Sequence, residues 1–190
     1  MQDIKEYIKK VNDHSLPRWQ QLPDFELYMD QVISLMQKYI EPYILTEDAL
    51  TPSMINNYVK MEALPAPMKK RYSKDHIARL IVICLMKKQL SIPTISNLIK
   101  VETETKGIDN FYNAFVEEYE FAAKNSLLEI KSSTLKGALS LAINAAANHT
   151  TAQHAVDLLL PVEETDKRDK KESKKDSKKE AKNNKKSSEQ

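Results

Sequence analysis

The run Thr51-Pro52-Ser53-Met54-Ile55-Asn56-Asn57-Tyr58-Val59-Lys60 carries the side chains with the most distinctive chemistry in this chain. At helical spacing Ile55, Tyr58 and Val59 fall on one side, leaving Ser53, Asn56, Asn57 and Lys60 on the other. Asparagine amides can pair with adenine edges and lysine with guanine or phosphate, so this polar face has the chemistry to enter a major groove of duplex DNA. Downstream, Lys69, Lys70 and Arg71, with Tyr72 beside them, would lie against the phosphate backbone and supply salt-dependent affinity. His76 is a further candidate phosphate contact, or else a plain residue of a helix's first turn. The spacing also admits an ordinary solvated helix face followed by an ordinary basic turn.

Other chemistries find little to work with. The histidines are His14, His76, His149 and His154, and none has a metal-ligand spacing of the His-Glu-x-x-His kind. The last two are five apart, roughly 140° around a helix, a poor geometry for sharing an ion. Cys84 is the single cysteine; it lies within the apolar run Leu80 to Met86 and reads as a small buried hydrophobe rather than a nucleophile. One cysteine excludes an internal disulfide framework and makes the reducing cytoplasm the expected location. Two glycines in 190 residues argue against a phosphate-cradling or dinucleotide loop. The chain is therefore read as a non-enzyme with no metal and no cofactor.

The elements that must position residues 51–76 follow from caps and breakers. Gln2 to Val11 is a short amphipathic pattern, and the two prolines of Ser15 to Pro23 make a connector. Trp19, with Leu22 and Phe25, would staple that connector to the core. Asp24 can cap a helix from about Phe25 to Tyr39. Thr51 caps the next helix, with Pro52 at the first helical position and an end near Met61. Ser73 caps a helix from Lys74 to about Gln89, whose run Leu80 to Met86 is apolar on every side and so belongs at the centre of the core. Ser91 opens another helix ending near Val101, and Glu102 to Gly107 reads as a polar break closing the first folded unit. Beyond it, Tyr112 to Ile130 gives a long helix, and Ser133 to Leu160 an Ala-rich helix or helix pair. The stripe Phe111, Tyr112, Phe115 and Tyr119 is expected as a core or dimer face; lining a cavity, it would admit an unknown apolar small-molecule effector.

Three blocks carry a family resemblance: Tyr28 to Val32, Leu50 to Lys60, and Lys69 to Ile77. They resemble the signature blocks of the bacterial domain of unknown function 1836 family over about residues 19 to 101. That family has no established activity, and its pattern is similar in turn to the winged helix-turn-helix of mercury-resistance-type (MerR-like) regulators. The resemblance implies a recognition helix at 51–61, a short β wing near 64–72, and a next helix opening at Leu90 to Ile95. Those regulators usually carry Arg-Tyr-Tyr where this chain has Asn56-Asn57-Tyr58, and a Gly where it has Glu62. Of that set only Tyr58 carries over directly, and the missing Arg removes a phosphate or guanine contact.

Charge divides the chain in two. From Glu163 onward there are 11 basic and 8 acidic side chains and Ala181 as the sole apolar residue, leaving 18 basic and 19 acidic side chains for the first 162 residues. A segment so poor in apolar side chains is expected to be disordered. The expected organisation is an N-terminal helix and connector (1–18), a mainly α winged helix-turn-helix domain with a short β wing (19–101), a helical effector or dimerisation region (108–160), and a disordered Lys-rich tail (161–190). Duplex DNA is the expected partner, with Thr51, Ser53, Asn56, Asn57, Tyr58, Lys60, Lys69, Lys70, Arg71, Tyr72 and His76 as its contacts and transcriptional regulation as the role. A homodimer through 108–160 is expected, and no membrane insertion, since the longest apolar run falls far short of the roughly 20 residues of a span. The rival is a non-catalytic protein-interaction adaptor that keeps the fold without binding DNA; a net charge of −1 on the first 162 residues speaks for it.

Overall fold

Nine residues of one helix, Lys74–Met86, are buried, and the other elements are arranged to cover them. The computed structural model describes residues 4–44, 49–130 and 134–160. In chain order its helices are α1 (Ile4–Asp13), α2 (Met29–Ile40), α3 (Pro52–Lys60), α4 (Lys74–Met86), α5 (Ile92–Lys106), α6 (Ile108–Ile130) and α7 (Thr134–Leu159). Single 3₁₀ turns stand at Trp19–Gln21 and Glu41–Tyr43. No described helix is long and apolar enough to cross a membrane. The expected disordered tail lies outside the described residues.

Around α4 the core takes one or two rows of side chains from each neighbour: Val32, Met36 and Ile40 of α2, Ile55 and Tyr58 of α3, Ile95 and Ile99 of α5, and Tyr112 and Val116 of α6. Cys84 sits among them, and burial pushes its thiol up to about 12, out of range of thiolate chemistry.

The N-terminal connector lies on α6 through polar contacts. The Leu16 N–H donates to Glu120 Oε1 at 2.6 Å and Arg18 Nη2 donates to Glu120 Oε2 at 3.2 Å. Trp19 N–H donates to Asn113 Oδ1 at 2.8 Å, and the Tyr112 hydroxyl to the Pro17 carbonyl at 2.8 Å. The Trp19 ring meets Tyr112 edge-on and Leu22 is buried in the core, so these two staple the connector; Phe25, expected with them, is 69% exposed and does not. Of the aromatic stripe of α6, Tyr112 is buried in the core, while Phe111, Phe115 and Tyr119 are half-buried against it; these three lie against one another, and Tyr119 meets Tyr43 edge-on.

Three of the helix boundaries around the site differ from the sequence expectation. The second helix begins at Met29, not Phe25, because Leu27 is held extended: its N–H and C=O exchange hydrogen bonds of 2.9 and 2.8 Å with Tyr72. Asp24 is consequently no cap and pairs with Lys74 instead. Helix α4 ends at Met86 rather than Gln89, in a turn where Gln89 N–H reaches the Met86 carbonyl. Helix α5 runs through the expected polar break to Lys106, held by the Lys106–Glu102 pair one turn apart and stopped by Gly107 at φ +79°.

The expected short β wing is corrected too. Among the described residues pairing is confined to two isolated antiparallel bridges, Leu27 with Tyr72 and Met68 with Arg71. Pro65 and Pro67 each lack the N–H that a ladder needs, which leaves no room for strands between α3 and α4. The link from α2 to α3 spans residues 41–51, longer than the three- or four-residue turn of a tight helix-turn-helix.

Glu120 is the buried acceptor that fixes the connector. Glu120→Ala should lower stability by about 2–3 kcal/mol by leaving the Leu16 N–H buried and unpaired, whereas Glu120→Gln, which keeps an acceptor, should cost less than half of that. Urea unfolding followed by far-UV circular dichroism measures both, and equal losses would remove Glu120 from this role.

Candidate nucleic-acid interface

Helix α3 starts as its sequence requires. Thr51 is extended and its Oγ1 accepts the Met54 N–H at 3.3 Å, with Pro52 in the first turn. Ile55 and Tyr58 then face the core, and Ser53, Asn56, Asn57 and Lys60 are exposed. Together with Met54 and Tyr58 they line a shallow, open hollow. The polar face expected from spacing is therefore present and free to meet a partner.

The end of α3 is less ordinary. Ala63 N–H reaches the Tyr58 carbonyl at 2.9 Å and Glu62 N–H the Val59 carbonyl at 3.1 Å, the two bonds of a Schellman turn. That turn needs a left-handed residue just beyond the helix, usually Gly; here it is Glu62, at φ +57°. Its carbonyl accepts the Ser96 hydroxyl of α5 at 3.4 Å. The chain then buries Ala63 and Leu64 before reaching the basic segment.

Met68 to Arg71 forms a two-residue reverse turn closed by Arg71 N–H to the Met68 carbonyl at 2.9 Å. Both central residues are left-handed, Lys69 at φ +51° and Lys70 at φ +63°. Positive φ at both positions is the type I′ signature, for which Asn-Gly is the common sequence. Each lysine carries a Cβ into a region costing roughly 1–2 kcal/mol per residue. Both side chains are exposed, and neither joins an ion pair among the described residues. Glu62, Lys69 and Lys70 are the only non-glycine residues with positive φ among those described, and all three fall between α3 and α4.

The neighbouring cations are partly neutralised. Arg71 stacks over the Tyr28 ring at 5.3 Å and reaches Glu26 at 3.9 Å. Lys74 lies over the Trp19 ring at 5.3 Å while paired with Asp24.

Three of the residues expected at the interface are buried instead. Tyr58 is in the core, its hydroxyl pushed up to about 12 by burial and then by Cys84. Tyr72 is buried, held by its backbone exchange with Leu27. His76 is buried and is a hinge pin of the segment rather than a surface contact. The Ser73 N–H donates to His76 Nδ1 at 3.0 Å, with the Ser73 hydroxyl 2.7 Å from the same nitrogen, so the ring proton belongs on Nε2, which faces the Pro65 carbonyl at 3.2 Å. The imidazole takes the part that Gln21 and Gln31 play elsewhere, where each glutamine oxygen accepts the N–H three residues earlier. Spacing showed His76 in a first turn; its clamp on Pro65, eleven residues away, had no sequence signal.

Desolvation, the largest influence, lowers the His76 pKa from its ordinary 6.5, against the opposing pull of Asp75 and the Pro65 carbonyl. Arg79 lowers it and Glu26 raises it more weakly. A depressed folded value means the neutral ring stabilises the fold fully above pH 6.5, and this contribution is lost as pH falls through the folded value. Stability should therefore drop below about pH 6.5, and His76→Gln, which keeps an acceptor for Ser73, should flatten that part of the profile. Urea midpoints from pH 7.5 to 5 test this; an unchanged slope in the variant would show that His76 is not the titrating group.

Relaxing the turn is a second test. Lys69→Asn with Lys70→Gly should raise stability by about 1–2 kcal/mol, roughly half the left-handed cost of the native pair because glycine also frees the unfolded chain, visible as a higher urea midpoint at constant m-value. A lower midpoint would mean that the lysines stabilise the turn.

The family model described as "Domain of unknown function (DUF1836)" matches residues 17–115, from the connector through the first third of α6. No curated protein and no solved structure matches the chain.

Proposed function

We propose that this chain, which belongs to the DUF1836 family, binds duplex DNA through the exposed face of α3 and the Lys69-Lys70 turn, and that the role is transcriptional regulation. One observation carries the reading: left-handed backbone is concentrated in the segment that presents, beside a polar helix, two lysines with no ion pair among the described residues. Strain of this sort persists at sites that use it. A type I′ turn aims successive side chains outward from a fixed backbone, which suits two ammonium groups to successive phosphates. Ser53, Asn56, Asn57 and Lys60 then supply base-edge donors and acceptors. The order of helix, Pro-containing basic turn and buried helix is also the order in mercury-resistance-type regulators, with the wing reduced to a turn. Tyr58, Tyr72 and His76 support the site from beneath, and Thr51 serves as the cap.

A protein-interaction adaptor is the second reading, and the neutralisation of Arg71 by Glu26 and of Lys74 by Asp24 favours it. The two separate in one experiment. The full chain should bind random duplex DNA with an affinity that falls linearly in log[salt], and Lys69→Ala with Lys70→Ala should reduce the slope by about 2, close to 0.9 per phosphate contact. Because the Lys-rich tail is identical in both proteins, the difference reports the turn alone. Fluorescence anisotropy at several salt concentrations measures it; absence of salt-dependent binding by the parent chain would reject DNA in favour of the adaptor.

A further inference from the structure

Helix α7 has the composition of a buried helix and the exposure of a surface one. Of its 26 residues only Lys136 and Asp157 are charged. Yet Leu135, Leu139 and Ile143, spaced four apart on one face, are 83%, 60% and 59% exposed, and Leu158 is 83% exposed. Between Leu135 and Leu158, Gly137 alone is buried, with Leu141, Gln153 and Val156 half-buried. Helices in water draw most of their stability from packing an apolar face, so this stripe calls for a partner surface.

The two charges identify that partner. Lys136 sits in the first turn, at the positive end of the helix dipole, and Asp157 in the last turn, at the negative end. Each is at the end that disfavours it. A second copy of α7 laid antiparallel reverses both penalties: Lys136 meets the other copy's C-terminal turn and its Asp157, and the dyad repeats the pair. The midpoint between positions 136 and 157 falls between Ala146 and Ala147, inside the run Ala145-Ala146-Ala147. The smallest side chains thus lie where two crossing helices come closest, and the same register sets Leu135 opposite Leu158. We infer that α7 is the self-association surface of this protein, pairing antiparallel with a second copy about a dyad at Ala146–Ala147. This inference does not depend on DNA binding.

Charge exchange in the full chain tests it. Sedimentation equilibrium should show a monomer–dimer equilibrium, weakened about tenfold by Lys136→Glu and likewise by Asp157→Lys, since each turns two attractive pairs into two repulsive ones. The double exchange, Lys136→Glu with Asp157→Lys, should restore the parent affinity. Either single change improves the fit to the helix dipole, so circular dichroism should show helix content retained, separating lost pairing from lost folding. Leu139→Glu, at an exposed position, should abolish the dimer with the fold intact. A monomer throughout the micromolar range, or a dimer indifferent to the single exchanges, would overturn the inference. So would failure of the double exchange to restore pairing.

Discussion

Helix α4 leaves no residue fully exposed; only Lys74, Asp75, Arg79 and Met86 reach water, each half-buried. With nine of its residues buried, it is stable only where other elements enclose it, and the rest of the fold is a set of solutions to that demand. Helices α2, α3, α5 and α6 each bring one stripe to it; α2, α3 and α5 keep a polar face outside, while α6 also exposes Phe121 and Leu128. The polar face of α3 is thus a by-product of covering α4: Ile55 and Tyr58 must point inward, so Asn56, Asn57 and Lys60 must point out. The same demand places the segment between α3 and α4 at the surface, because Leu64 and Tyr72 are drawn in at its ends while the residues between have nothing left to cover.

The parts of this arrangement that were legible in sequence are those set by local rules. Thr51-Pro52, Ser73 and Ser91 open helices where their chemistry requires, and a seven-residue apolar run announced the central helix. The misplaced boundaries have non-local causes. Leu27 is extended because Tyr72, 45 positions later, exchanges two backbone bonds with it, and no local pattern around Phe25 carries that information. Likewise α6 joins the core through Tyr112 and Val116, and binds the connector through Asn113 and Glu120, so the polar stretch before Gly107 separates less than its composition suggests. The candidate site was half legible for the same reason. Helical period separated Asn56 and Lys60 from Ile55, but it could not show that Tyr72 and His76, adjacent to the basic triplet, are its buried supports.

The overall charge is a weak guide at this scale. Arg71 and Lys74 count fully in the sum, yet each already faces a carboxylate, from Glu26 and Asp24. Lys69 and Lys70 count the same and face none among the described residues. A surface field is made by uncompensated charges within about a Debye length of one another, roughly 10 Å in ordinary salt, and two adjacent exposed lysines on a hydrogen-bonded turn, unpaired among the described residues, qualify where a distributed net charge does not.

Backbone conformation sharpens the point. This chain uses glycine at one positive-φ position, Gly107, where it ends α5. At Glu62, Lys69 and Lys70 the same backbone region is occupied by residues that disfavour it, within nine positions of each other. The strain is tolerable because the flanks are over-determined: the Schellman turn and Ser96 hold one end, and the Leu27–Tyr72 exchange and the His76–Pro65 clamp hold the other. A turn built for stability alone would carry Asn-Gly at positions 69 and 70, which fits type I′ geometry without penalty. Two lysines in its place trade conformational ease for two ammonium groups on a hydrogen-bonded turn, and the proposed contact with phosphates rests on that exchange.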